Sequence, residues 1–168
     1  QALHYTRNRH AFGKALADQP LMAEVLADMA LESEAATLLA MDLATHFGTT
    51  TALDTAWRRV MTPVAKFWNC KRAVGLTGEA MEVFGGNGYV ETGPMGRLFR
   101  EAPVNSIWEG SGNVMCLDVL RAVSRNPDDA HLVLDHLHGV ATQDTVVMAQ
   151  LHKLRDALQQ PPETLERE

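Results

Sequence analysis

Asp18-Gln19-Pro20-Leu21-Met22-Ala23-Glu24-Val25-Leu26-Ala27-Asp28-Met29 carries the clearest helical pattern of this chain. Asp18 is a helix-capping residue type and Pro20 suits a first turn. Leu21, Met22, Val25, Leu26 and Met29 recur at the three-and-four spacing of one helical face. The pattern predicts a helix from Asp18 to about Phe47, stopped by Gly48 and followed by a short connection through Thr49 to Thr51.

Outward from this segment the same periodicity returns. Trp57, Val60, Met61, Val64, Phe67 and Trp68 predict a second long helix, with a kink at Pro63 or a break near Thr62 because proline removes a helical hydrogen bond. Ala80, Met81 and Phe84 carry it to Gly85-Gly86-Asn87-Gly88. Residues 85 to 113 are the least regular stretch, with a turn at Gly93-Pro94 and a short helix at Arg97 to Glu101. Ser111 or Asn113 then caps a helix that buries Val114, Leu117, Leu120 and Val123. Asn126-Pro127-Asp128-Asp129 restarts a helix that ends at Gly139. A last helix turns Val146, Val147, Leu151, Leu154 and Leu158 inward and stops before Pro161-Pro162, leaving a frayed tail over Glu163 to Glu168. No strand and no repeat is expected, so the reading is a helical bundle.

At 168 residues the chain is long enough for one sizeable domain, read as residues 1 to 168. The hydrophobic share of 46%, the charged share of 21% and the lack of a long apolar run argue against a membrane role. A net charge of −6 gives no global attraction to nucleic acid. The densest cations, Arg58, Arg59, Lys66, Lys71 and Arg72, spread over more than one helix face and read as a solvated surface. Cys70 and Cys116 lack metal-type spacing and read as small buried apolar residues in a reducing cytoplasm, with no metal site expected. The chain enters a structured-looking segment directly at Gln1, which is read as a fragment of something longer.

Three clusters could carry chemistry. Arg9-His10-Ala11-Phe12-Gly13 sets a cation and an aromatic before a glycine. A guanidinium engages pyrophosphate through paired donors, although an arginine there is far more often an ordinary surface residue. In Glu82-Val83-Phe84-Gly85-Gly86-Asn87-Gly88-Tyr89 the glycines let a backbone approach a ligand, while a helix stop and turn explains the same residues. In Ile107-Trp108-Glu109-Gly110-Ser111-Gly112-Asn113 a carboxylate follows two large apolar residues. Desolvation there would raise its pKa toward that of a general base, and the next helix start would offer amides to an anion. A solvated glutamate beside a helix dipole is the alternative.

In their order and separation these segments resemble the acyl-CoA dehydrogenase family. Arg9-x-x-Phe12-Gly13, Leu26-Ala27-Asp28-Met29-Ala30, Ala80 to Tyr89 and Trp108-Glu109-Gly110-Ser111 carry the resemblance, which covers about residues 1 to 125. Met81 to Tyr89 and Pro103 to Arg121 are similar to the AidB subgroup, associated with the adaptive response to DNA alkylation. The resemblance implies an all-α, up-and-down four-helix bundle of the family's carboxy-terminal type, with extra helices over about 127 to 160. It also implies FAD as cofactor, an acyl-CoA substrate, a dimer or dimer of dimers, and an electron-transfer acceptor.

Carried over by motif, Arg9 and Phe12 would contact the FAD of a neighbouring subunit. Glu82, Val83, Phe84, Gly85 and Gly86 would line its adenosine end, and Ser111 and Asn113 would contact the flavin nucleotide of their own subunit. Glu109 would be the base that takes an α-proton, and Gly110 would let the thioester approach the backbone. The family commonly has glutamine where this chain has Glu82, threonine at Ser111, glutamine at Asn113 and tyrosine at Trp108. A carboxylate at position 82 cannot donate an amide hydrogen bond and repels phosphate, and Trp108 could narrow an acyl pocket. Two other functions fit the resemblance: a flavoprotein acting mainly in DNA association or protection during alkylation stress, and an oligomerisation domain without chemistry. The isolated chain is expected to be inactive, because a middle domain normally covers flavin and substrate.

Overall fold

The computed structural model describes residues 1–141 and 143–160. Pro161-Pro162 and the tail from Glu163 to Glu168 lie outside the described residues. In chain order the elements are α1 (Ala2–Asn8), β1 (His10–Ala11), β2 (Lys14–Ala15), a 3-10 turn (Leu16–Asp18), α2 (Pro20–Thr45), α3 (Ala52–Val83), α4 (Gly86–Tyr89), α5 (Met95–Asn105), α6 (Gly112–Arg125), α7 (Pro127–Val140) and α8 (Thr145–Ala157). The class is all-α, apart from the antiparallel β1–β2 hairpin, which was not expected. Strands two residues long carry no alternation for a sequence pattern to show. No helix among the described residues is long and apolar enough to cross a membrane. The chain divides into two compact units, Gln1–Ala40 with Lys66–Gly112, and Met41–Ala65 with the described residues from Asn113 onward.

In the first unit α2 opens one residue later than an Asp18 cap requires. Asp18 closes the 3-10 turn, and the first helical bond runs from the Ala23 N–H to the Gln19 carbonyl at 2.9 Å. Met22, Val25, Leu26 and Met29 pack against buried Ala2, Ala80, Val83 and Met95 as expected. Leu21 stands at the edge of that stripe and is 80% exposed, contrary to expectation. Beyond the stripe, Arg72 of α3 grips Glu32 of α2 with two guanidinium hydrogen bonds. The Asn69 amide donates to the Ala36 carbonyl at 3.2 Å. At the end of α3, Gly88 in α4 lies so close that an added Cβ would stand 2.0 Å from the Met81 carbonyl oxygen.

In the second unit the core is Ala56, Trp57, Val60 and Val133, with Leu43, Leu53, Met61 and Leu137 half-buried around it. The indole N–H of Trp57 donates to Asp42 at 3.0 Å, so burying it leaves no orphan donor. The expected break near Thr62 does not occur, and α3 runs unbroken through Pro63. An internal proline costs about 3 kcal/mol. Burying the Trp57 and Val60 side chains gains about 1.5–3 kcal/mol each, which offsets it.

Thr51 and Asp54 form a capping box at the start of α3. The Asp54 N–H donates to the Thr51 hydroxyl at 3.1 Å and the Thr51 N–H donates to the Asp54 carboxylate at 3.2 Å. Hydrogen bonds from the Thr49 and Thr51 hydroxyls and the His46 ring hold the Asp54 carboxyl well below the usual carboxylate range. Arg59 grips Asp118 with bonds of 2.8 and 3.0 Å, and the guanidinium likewise lowers the Asp118 carboxyl.

The later helices form where expected but bury less. Asn126 precedes Pro127 without capping through its side chain, because its amide donates instead to Asp129 at 2.7 Å. Asp144 caps α8, accepting from Val146 and Val147 at 2.9 and 3.0 Å. Val114, Leu117, Val146, Val147 and Leu154, all expected inside, are exposed, and so is Cys116. An amphipathic stripe marks which face is apolar and not how much of it a neighbour covers.

Two outcomes follow. Gly88→Ala forces a backbone displacement costing about 1–3 kcal/mol, read as a lower unfolding midpoint. Because the Asp54 carboxyl is lowered in the folded state, its stabilisation is full near neutral pH and is lost as pH falls from about 5 toward 2. Asp54→Asn makes that acid slope shallower in a pH series of thermal melts.

Candidate functional site

The segment carrying Arg9 and Phe12 is a hairpin built on the end of α1. Arg9 leaves the helix in extended backbone, with its N–H bonded to the Tyr5 carbonyl at 2.8 Å and its own carbonyl receiving the Leu16 N–H at 2.8 Å. His10 pairs with Ala15 and Ala11 with Lys14, which leaves Phe12-Gly13 as a two-residue loop. Both loop residues have positive φ, 55° for Phe12 and 84° for Gly13, the combination that a right-twisted hairpin favours. For a phenylalanine that backbone costs about 1–2 kcal/mol. Its ring nonetheless stands 94% exposed at the tip, and Arg9 is exposed at the base.

Tyr5, which the sequence reading did not single out, ties this hairpin to the glycine-rich turn. Its ring stacks on Phe84 with centroids 4.2 Å apart, its hydroxyl donates to the Phe84 carbonyl at 3.3 Å, and the Asn87 amide donates to that hydroxyl at 3.2 Å. The only signal for it was its place one helical turn before Arg9. In the turn itself Glu82, Gly85 and Gly86 are exposed, Val83 is buried in the core, and Phe84 is half-buried beneath Tyr5. Gly85 has φ 58°, the left-handed step that ends α3, and no atom lies within 4 Å of where a Cβ on Gly85 or Gly86 would stand. The turn is therefore both a helix stop and an open backbone surface.

Glu109 sits on the loop between α5 and α6. The Ile107 and Trp108 N–H groups fold back on the Val104 carbonyl at 2.9 and 3.0 Å, after which Glu109 takes φ 55° and Gly110 φ 116°. Lys66 holds this bend. Its ammonium donates to the Trp108 carbonyl at 2.9 Å and to the Gly110 carbonyl, one residue to either side of Glu109. Charge-assisted bonds of this kind contribute about 1.5–3 kcal/mol each, enough to cover the cost of a left-handed glutamate. Lys66 had been read as part of a solvated helix face; its two acceptors are 42 and 44 residues away in sequence, beyond any local pattern.

Gly112 closes the loop against α3, where an added Cβ would meet Lys71 Cε at 2.9 Å and Phe67 Cε2 at 3.2 Å. Glu109 is exposed, and it joins no salt bridge among the described residues. Ile107 and Trp108 are 63% and 59% exposed, so the desolvation expected from them is not supplied within this chain. Ser111 is exposed immediately before α6, and Asn113 is exposed in its first turn, within the second unit.

Thus Arg9, Phe12, Glu82, Gly85, Gly86, Glu109, Gly110 and Ser111 all belong to the first unit. Tyr5 joins the hairpin to the glycine turn, and Lys66, Phe67 and Lys71 seat the glutamate loop. Phe67 and Lys71 also line a cleft of about 700 Å³ between α2 and α3, with Val25 and Met29 in its apolar wall. Arg72 lies over the Trp68 ring there, 4.8 Å from its centroid.

The family described as "Acyl-CoA dehydrogenase, C-terminal domain" matches residues 1–124. AidB of Escherichia coli (strain K12) is 44% identical over 168 residues, a match that takes in 99% of this chain and 31% of that protein. Among solved structures, the Bd2924 apo-form superposes with a TM-score of 0.88 at 32% identity, over 99% of this chain and 33% of its own. Caenorhabditis elegans ACDH-11 in complex with C11-CoA gives a TM-score of 0.78 at 31% identity, over 94% of this chain and 28% of its own. The chain spans about a third of the length of these relatives. With its all-α architecture and its match over residues 1–124, the chain belongs to the acyl-CoA dehydrogenase family, as that family's carboxy-terminal helical domain.

Proposed function

We propose that the protein containing this domain dehydrogenates an acyl-CoA thioester between its α and β carbons, with Glu109 as the base. The observation that carries the reading is Glu109 itself: an exposed carboxylate, free of ion pairs among the described residues, on a bend held from two sides in a domain of this family. A carboxylate acting as base needs an open path to the carbon acid and no competing cation on its oxygens. C11-CoA bound to the Caenorhabditis elegans relative supports the substrate class.

Residues of this chain fit FAD. Gly85 and Gly86 offer bare backbone, and Phe12 offers an uncovered ring at the end of a braced hairpin. Arg9 and Phe12 would hold the FAD of a neighbouring subunit, Glu82 to Gly86 would line its adenosine end, and Ser111 and Asn113 would hold the nucleotide of their own subunit. The exposed Glu82 suits hydroxyl or amine donors of the adenosine and not a phosphate. When bound, FAD supplies the acceptor for the β-hydrogen as hydride. Glu109 takes the α-proton, the electron pair left on the α carbon forms the new double bond, and a trans-2-enoyl thioester results. Gly110 leaves room for the thioester beside the backbone, and Trp108 would restrict the acyl chain. The exposed Ile107, Trp108 and Phe12 would be covered in a homo-oligomer with the remaining domains, excluding water from the reacting carbons.

The DNA-association reading gains less from the structure. Of the five cations in the densest basic run, Arg58 donates to the His46 and Thr49 carbonyls, Arg59 to Asp118, Lys66 to the glutamate loop and Arg72 to Glu32. Donors so engaged are poorly placed to displace counterions from a phosphate backbone.

In the complete protein loaded with FAD, anaerobic acyl-CoA bleaches the flavin absorbance. Glu109→Gln slows that bleaching by about 10²–10⁴-fold while FAD content is retained. An unchanged rate removes the residue from this role. Residues 1–168 alone give no dehydrogenation.

A further inference from the structure

We infer that Lys66 is a positioning residue for Glu109: its ammonium, bridging the carbonyls on either side, fixes the left-handed bend and with it the place of the carboxylate. The inference rests on the reading of Glu109 as base. The loop between α5 and α6 has no helix or strand of its own at residues 107–110, whereas Lys66 stands within the 32-residue helix α3. The bend is therefore referred to the part of α3 that belongs to the same unit, from Lys66 to Val83. The following residues of the same helix complete the seat, since Phe67 and Lys71 lie under Gly112.

Two features separate this arrangement from an incidental surface contact. Glu109 has φ 55°, a backbone that a glutamate keeps only when its surroundings impose it. Both Lys66 hydrogen bonds fall on carbonyls of the residues that flank it, Trp108 and Gly110. The ammonium also leaves the carboxylate alone, because Lys66 and Glu109 form no salt bridge among the described residues. A cation on those oxygens would compete with the proton they are to accept. Spent on carbonyls, the same charge orders the base without occupying it.

The test uses the complete FAD-loaded protein and its Lys66→Met and Lys66→Arg variants. Three quantities are measured: the flavin-reduction rate at saturating acyl-CoA, the thioester dissociation constant, and amide hydrogen exchange across residues 107–112. Lys66→Met is expected to slow reduction by roughly 100-fold, the scale of a misplaced catalytic group, to leave the dissociation constant nearly unchanged, and to speed exchange in the loop. Lys66→Arg recovers most of the rate and the protection. A Met variant with the wild-type rate overturns the inference, and so does a slowed variant whose loop exchange is unchanged. If the Met variant loses FAD, Lys66→Gln is read by the same comparison. A wild-type flavoprotein that no acyl-CoA reduces overturns the proposed function instead, and loop exchange in the variants then decides alone whether the clamp exists.

Discussion

Four side chains of α2, Met22, Val25, Leu26 and Met29, hold the first unit together by packing on residues of α1, α3 and α5. Every candidate segment of that unit departs from one of those helices. The Phe12 hairpin leaves α1, the glycine-rich turn ends α3, and the Glu109 loop follows α5. Close packing on a shared core means that none of the three parent helices shifts without opening a cavity. The polar bonds of Tyr5 and Lys66 then refine positions that apolar burial has already set.

The helices were legible because their signal is periodic. The stripe at 22, 25, 26 and 29, the restart at Asn126-Pro127 and the glycines after Phe84 each mark an element that forms. What the pattern hid was of two kinds. Local exceptions are too short for a period: the Phe12-Gly13 loop needs positive φ at two residues, and Thr51-x-x-Asp54 caps α3 where the sequence suggested only a connection. Long-range bonds leave no local mark, and Lys66 on the glutamate loop and Tyr5 on Phe84 are of that type. Beyond those two kinds, the exposure of Leu21, Val114, Leu117 and Val146 was also hidden, since apolar character is visible in sequence and coverage is not.

The candidate site was marked in the sequence by resemblance, and only partly by the chemistry of its residues. Glu109 drew notice as a carboxylate behind two large apolar residues, yet those residues are exposed with it. The chain supplies an exposed carboxylate at Glu109, a left-handed backbone bend and the Lys66 ammonium bonded to the carbonyls of Trp108 and Gly110. A base at the Glu109 position would need other surfaces to close over the exposed Ile107 and Trp108.

If the Glu109 carboxylate removes the α-proton, that step can be followed apart from hydride transfer. The complete flavoprotein is incubated in deuterium oxide with a β-thia acyl-CoA, whose sulfur replaces the β carbon so that no β-hydride can leave. Deuterium incorporation at the α carbon is followed by mass spectrometry. Rapid exchange is expected of the wild-type protein, and background exchange of Glu109→Gln with its FAD in place. Equal exchange by the two proteins would contradict that role for Glu109.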